Sequence, residues 1–204
     1  MSTSEENVLF TIMILSIPSR LDKLKELYTK LEDQIGDRTD VEVLCLVDNK
    51  SQTIGEKRNV LLNASRGNFV ACLDDDDMIS DDYIQTICTN LESNQDIDVL
   101  CFEQHCVING EEVMVSFDMK NKTNDPLVRD ENGKFKTMNR PPWHMCVWNS
   151  EIAKNTPFKN SSWGEDWDWC SRMIPKVKKQ LKLLDILHYY RYNDTESESI
   201  QYMT

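Results

Sequence analysis

The sequence predicts an α/β fold: one domain built on a central, mostly parallel sheet flanked by helices. Three observations predict it. Apolar runs rich in β-branched residues alternate with segments of helical periodicity over the first 100 residues. Those apolar runs are continuous, as buried strands are. A chain of 204 residues is long enough for one domain with a sizeable core.

Residues 1–7 read as a disordered tail, and 8–204 as the domain. LFTIMILSI (9–17) is the first buried strand, stopped by Pro18. In 21–35 the residues Leu21, Leu24, Leu27, Leu31 and Ile35 recur at helical spacing, and Gly36 suits the end of that helix. VEVLCLV (41–47) is a second buried strand, ending at Asp48. IGEKRNVLLNAS (54–65) reads as a helix closed by Arg66-Gly67, and FVACL (69–73) as a third strand. Ser80 is the expected N-cap of a helix from Asp81 to Leu91, with Asp81 and Asp82 favourably placed on its dipole. DVLCFEQHCVI (98–108) and EEVMVSF (111–117) read as a hairpin turning at Asn109-Gly110. Residues 118–142 are polar and aperiodic, the mark of a functional or mobile loop. No internal repeat or linker is visible.

Composition excludes several classes. A formal net charge of -12 argues against a general nucleic-acid binder. No apolar run reaches the length of a membrane span, and the N-terminus shows no signal-peptide pattern. The seven cysteines form no CxxC pair, and several lie inside apolar runs. They read as buried free thiols in a reducing compartment, which suggests a cytoplasmic location. The Asn-x-Ser/Thr triplets at Asn63, Asn121, Asn160 and Asn193 are attributed to chance.

The chemistry concentrates in FVACLDDDDMISDD (69–82). Two carboxylates about 4 Å apart repel by roughly 4 kcal/mol at an effective dielectric near 20. Four in a row at the end of a buried strand call for a positive charge. A hard divalent cation prefers such oxygens. In open α/β sheets ligands bind beyond the carboxyl ends of the strands. Ser16 to Arg20, Asp48 to Lys50 and Asp74 to Asp77 all lie at such ends. Other readings of the run fit less well. The EF-hand template fails, because Met78 and Ile79 stand where an acid or amide and then a glycine are required. An aspartyl-nucleophile phosphatase places its acids on the first strand, not the third. Neither GxxxxGK[ST] nor GxGxxG occurs.

The order of segments is informative. SIPSR (16–20) follows the first strand, GEKRNVLLNASRGNFVACLDDDD (55–77) follows the second, WGEDWDWCSRM (163–173) comes later, and HYYRYN (188–193) lies near the end. This series resembles the family-2 glycosyltransferases of the GT-A fold over about residues 8–195. The resemblance implies a single Rossmann-like domain of the nucleotide-diphospho-sugar transferase type. Residues 8–108 would bind the nucleotide sugar and 109–204 the acceptor. Asp74 and Asp76 would form the DxD pair, with Asp76 in direct contact with Mn2+ or Mg2+. Asp75 and Asp77 would bond the nucleotide or the following turn. Ser16, Pro18, Arg20 and Asp48 would line the base and ribose. Lys57 and Arg58 would contact the diphosphate or Asp74; the competing reading puts them on a solvated helix face. Asp166 would be the base that takes the acceptor proton, with Glu165 beside it and Asp168 a weaker rival. His188 is a candidate extra metal ligand, His144 could reach the diphosphate or acceptor, and His105 reads as structural. Trp163 or Trp143 would offer a flat face to an acceptor sugar.

The implied activity is metal-dependent transfer of a sugar, with inversion, from a donor that is UDP-linked to a glycan or other hydroxyl acceptor. The alternatives are a non-catalytic module that binds sugar nucleotides or glycans, and a metal-dependent phosphatase or phosphotransferase. The chain is also compatible with being one domain of a longer polypeptide.

Overall fold

The computed structural model describes residues 7–192. The tail expected over the first seven residues therefore lies almost wholly outside the described residues, as does Asn193. Strand β1 (Phe10–Ser16) leads through a 3-10 turn over Pro18–Arg20 into α1 (Leu21–Ile35), then β2 (Val41–Val47), α2 (Ile54–Ala64) and β3 (Phe69–Asp74). There follow β4 (Met78–Ile79), α3 (Tyr83–Ser93), β5 (Val99–Ile108), β6 (Glu111–Phe117), β7 (Met138–Arg140), β8 (Val147–Asn149), α4 (Ser150–Lys154), α5 (Glu165–Met173) and β9 (Gln180–Tyr192).

The expected architecture is present: one central sheet with helices packed against it. β2, β1 and β3 run parallel, with Ser16 level with Val47 and Leu15 level with Asp74. The carboxyl ends of all three strands therefore meet at one edge. β8 is antiparallel to β3 and to β5 and joins the two halves. β5 and β6 form the expected hairpin, and both turn residues, Asn109 and Gly110, have positive φ (50° and 85°). β9 runs parallel to β5 and antiparallel to β4.

The helices follow their sequence signals. Leu27 and Leu31 are the fully buried members of the α1 stripe, and Gly36 ends the helix at φ 54° with its N–H on Glu32 O. α2 opens with a capping box in which the Thr53 hydroxyl accepts from Glu56 N–H and the Glu56 carboxylate accepts from Thr53 N–H. The core is aromatic at its centre: Trp169 stacks on Phe158 and meets Trp148 edge to face, while Phe10, Tyr83 and Phe102 pack together.

Several expectations are corrected. α3 begins at Tyr83, not Asp81, and Ser80 does not cap it. Met78 and Ile79 instead pair with Tyr189 and His188, and Ser80 N–H donates to Leu187 O, so strand pairing claims the segment. Inside the long loop, Met138–Arg140 forms β7 beside β6, and Arg129 bridges to Phe135. β8 and α4, at 3 and 5 residues, are too short to show a period in the sequence. All seven cysteines are free and six are buried, but Cys45 is exposed on β2; that strand forms one end of the sheet order and is half-buried, not buried as expected, because among the described residues no further strand closes over that edge to exclude water. Among the described residues, no helix is long and apolar enough to cross a membrane.

Candidate active site

The parallel strand ends open onto a cleft of about 660 Å³. Its wall brings together Ser16 and Arg20 at and after the end of β1, Lys57 and Arg58 from α2, Asp74, Asp75 and Asp76 at and after the end of β3, and Glu165 and Asp166 at the start of α5. Residues 150 positions apart along the chain thus share one cavity because every one of them sits at a strand end or a helix start facing it.

The four aspartates are not equivalent. Their side chains are 46%, 3%, 44% and 5% exposed in the order Asp74, Asp75, Asp76, Asp77. Asp75 turns inward, accepts from the Ser16 hydroxyl at 2.6 Å and pairs with Arg20 at 2.6 Å. Burial pushes its carboxyl up to about 6, against the pull of Ser16 and Arg20. Asp77 also turns inward, and its Oδ2 accepts from Asp74 N–H at 2.8 Å. Burial raises its carboxyl, opposed by His188. Asp74 and Asp76 face the cleft. Burial pushes Asp74 upward as well, but Arg58 foremost outweighs it and leaves the carboxyl low. Asp76 is paired with Arg20 and lies 3.4 Å from Lys23 Nζ.

Lys57 and Arg58 are both buried, which removes the solvated-face reading. Lys57 Nζ holds Asp48 at 2.6 Å, and Asp48 also accepts from the backbone N–H of Ser51 and Gln52. The Lys57 bond, chiefly, lowers the Asp48 carboxyl to about 2. Arg58 spans the cleft floor: Nη2 lies 3.3 Å from Asp74 Oδ1, and Nη1 lies 3.1 Å from Glu165 Oε1. Burial raises the Glu165 carboxyl although Arg58 opposes it.

At the opposite wall, Asp166 Oδ1 accepts from Trp167 N–H at 2.7 Å, which orients the carboxylate on the first turn of α5. Its Oδ2 lies 3.9 Å from His144 Nδ1, beyond hydrogen-bond length. Burial, then Arg58, pushes the His144 imidazole down to about 4, so it is neutral at pH 7. Asp168 points elsewhere, clamped by Arg172 at 2.6 Å. Trp143 stacks on Trp167 at 5.4 Å, and both line the cleft with Trp163.

Of the expected residues, Pro18, Asp48, Asp77, His144, Asp168 and His188 do not line the cleft. Pro18 only opens the 3-10 turn. Asp48 reaches the cleft through Lys57. His188 is buried (1% exposed) behind the aspartate turn and does not join Asp74 and Asp76. His105 lies on β5 with its ring edge to face with Tyr189. Sequence reasoning gave no role to Lys50, Trp167, Tyr190 or Arg191, which line the cleft. The signals were local: HYYRYN held Tyr190 and Arg191, WGEDWDWCSRM held Trp167, and Lys50 lies in the Asp48 to Lys50 strand-end segment.

Among the described residues, no three His, Cys, Asp or Glu side chains converge as a ready-made cation site. The donor chemistry nonetheless suits Mg2+ or Mn2+. Such ions commonly take one or two carboxylates and complete their shell with water and substrate phosphates. Asp74 and Asp76 are two outward carboxylates of that kind.

No family model matches the sequence, and no curated protein matches it. Solved structures do. The structure of S. aureus TarS 1–349 in complex with UDP-GlcNAc matches with a TM-score of 0.67 at 18% identity, over 95% of this chain and 61% of that one. TarS 1–349 in complex with UDP matches at 0.65 and 18%, over 92% and 61%. TarS 1–349 without a named ligand matches at 0.64 and 19%, over 90% and 60%. The chain therefore spans about three fifths of those structures, and at this identity the likeness shows one thing: the protein shares the α/β fold of the matched part of S. aureus TarS 1–349.

Proposed function

We propose that the protein is a metal-dependent glycosyltransferase that moves a sugar from a UDP-linked donor to a hydroxyl acceptor with inversion. The observation that carries this reading is the alternation of the aspartates: Asp74 and Asp76 reach a cleft that also holds Asp166. A shared fold with a protein solved in complex with UDP-GlcNAc supports the choice of donor.

In this reading Ser16, Arg20 and the Lys57–Asp48 pair border the nucleotide. Asp76 and Asp74 would hold the cation, which when bound offsets the charge of a diphosphate leaving group. Arg58 fixes Asp74 relative to Glu165. Asp166 Oδ1 is already engaged by the Trp167 N–H, which leaves Oδ2 to take the acceptor proton. The acceptor oxygen then forms its bond to the anomeric carbon as the bond to the β-phosphate oxygen breaks, and UDP departs with that electron pair. The stacked Trp143–Trp167 pair provides a flat apolar face beside Asp166 for the acceptor.

The test is a panel of UDP-sugars with and without Mn2+, scored by release of UDP. Wild type should release UDP only with metal. Asp76→Ala should lose Mn2+-dependent UDP binding. Asp166→Asn should lose transfer by about 10²–10⁴-fold, the usual worth of a general base, while still binding donor. Tight UDP binding with neither hydrolysis nor transfer would instead identify a binding module. Release of inorganic phosphate from simple esters would identify a phosphatase.

A further inference from the structure

We propose that His188 is a positioning residue, one member of a buried brace that turns Asp74 and Asp76 outward, and is not itself a cation ligand. The brace crosses three elements. Cys106 Sγ donates to Gln104 Oε1 at 3.2 Å. Gln104 Nε2 meets His188 Nδ1 at 2.8 Å. His188 Nε2 lies 3.0 Å from Asp77 Oδ2, close in distance though not aligned as an ideal hydrogen bond. The same Asp77 oxygen accepts from Asp74 N–H at 2.8 Å, and Asp77 N–H returns to Asp74 O at 3.0 Å. Cys106, Gln104, His188 and Asp77 are all buried.

The direction of the chain follows from its first donor. A thiol on Oε1 orients the Gln104 amide, so that its NH2 faces the imidazole. Nδ1 then accepts, which leaves the ring proton on Nε2, the nitrogen that lies 3.0 Å from Asp77 Oδ2. The strands hold this in register: Gln104 and His188 are partners across β5 and β9, and Ile79 and His188 across β4 and β9. A buried carboxylate without such a partner would be strongly disfavoured and would swing toward water. Asp77 stays in, and Asp75 stays in on Ser16 and Arg20. With both alternate residues anchored inward, Asp74 and Asp76 are left on the cleft wall with 46% and 44% of their side chains exposed.

This rests on the reading that Asp74 and Asp76 hold a cation, so the experiment separates the two. Amide exchange at Asp74 is measured by NMR on the metal-free protein. Mn2+ affinity in the presence of UDP is measured by electron paramagnetic resonance, and nitrogen coupling to bound Mn2+ by pulsed methods. The variants are His188→Phe, Asp77→Asn and the double variant. His188→Phe should speed Asp74 exchange and weaken Mn2+ at least tenfold. In the Asp77→Asn background the same change should cost less than threefold, since its target is gone. Bound Mn2+ should show no histidine nitrogen coupling. Unchanged Asp74 exchange, a full loss that persists in the Asp77→Asn background, or clear nitrogen coupling would each overturn the proposal. Gln104→Met, which removes the amide and nearly keeps the volume, should also speed Asp74 exchange if His188→Phe does not fold; no change there overturns it too. If wild type binds no Mn2+ with UDP, the cation reading falls, and the exchange data still decide the brace.

Discussion

Arg58→Met tests the electrostatics of the cleft floor. The substitution keeps an unbranched apolar stem beside Phe158, whose ring centroid lies 5.5 Å from the guanidinium carbon. It removes the cation that touches Asp74 at 3.3 Å and Glu165 at 3.1 Å. Removing one partner of a buried ion pair costs about 3–5 kcal/mol, because the other charge is left without compensation. Two features move the expectation to the low end. Asp74 is half exposed, so water takes over part of its solvation. Burial already raises the Glu165 carboxyl, and losing Arg58 raises it further, which lessens the cost of leaving it without its partner. The expected loss is therefore about 3 kcal/mol, which lowers Tm by about 6–12 °C for a chain of this size. Urea denaturation and calorimetry at pH 7 measure it. Glu165→Gln added to Arg58→Met should recover part of the loss, since a neutral amide no longer needs the guanidinium. A loss below about 0.5 kcal/mol, the range of ordinary surface changes, would refute the coupling, as would a failure of Glu165→Gln to recover anything.

Two other perturbations have directions set by the geometry. A Cβ on Gly55 would sit 1.8 Å from Lys159 O, a backbone atom that cannot step aside as a side chain would. Gly55→Ala should destabilise by about 1–3 kcal/mol or more in urea titration, and wild-type stability would show that the 159–161 segment does not pack on α2. The Asp48 carboxyl is held at about 2 by Lys57, below the ordinary value near 4. A depressed folded-state pKa stabilises above the unfolded value and loses that contribution as pH falls through the folded one. The stability advantage of wild type over Asp48→Asn should therefore shrink between about pH 4 and 2. A gap independent of pH across that window would exclude the Lys57–Asp48 pair as its source.

Much of the fold was legible because its signals are local. α1 and β2 occupy the predicted residues, Leu21–Ile35 and Val41–Val47, because a stripe of leucines and a β-branched run each declare a period within a dozen residues. β4 contradicted its local signal. Ser80 followed by two aspartates looks like a helix start, yet the preceding residues are claimed by hydrogen bonds to β9, more than 100 positions away. Lys57 and Arg58 carried two readings in the sequence, a solvated helix face or a charged contact at the site, and the packed acids Asp48, Asp74 and Glu165 decide for burial.

By itself the sequence determined which chemistry is available and at which strand ends it lies, since apolar runs place strands and strands of a parallel sheet end on a common side. It also determined that the acids at 74–77 need compensation, because like charges repel wherever they sit. Which of those acids look outward was decided by tertiary structure alone. A run of identical residues carries no periodic signal of its own, so its orientation comes from Ser16, Arg20 and His188, partners that only the assembled sheet brings within reach.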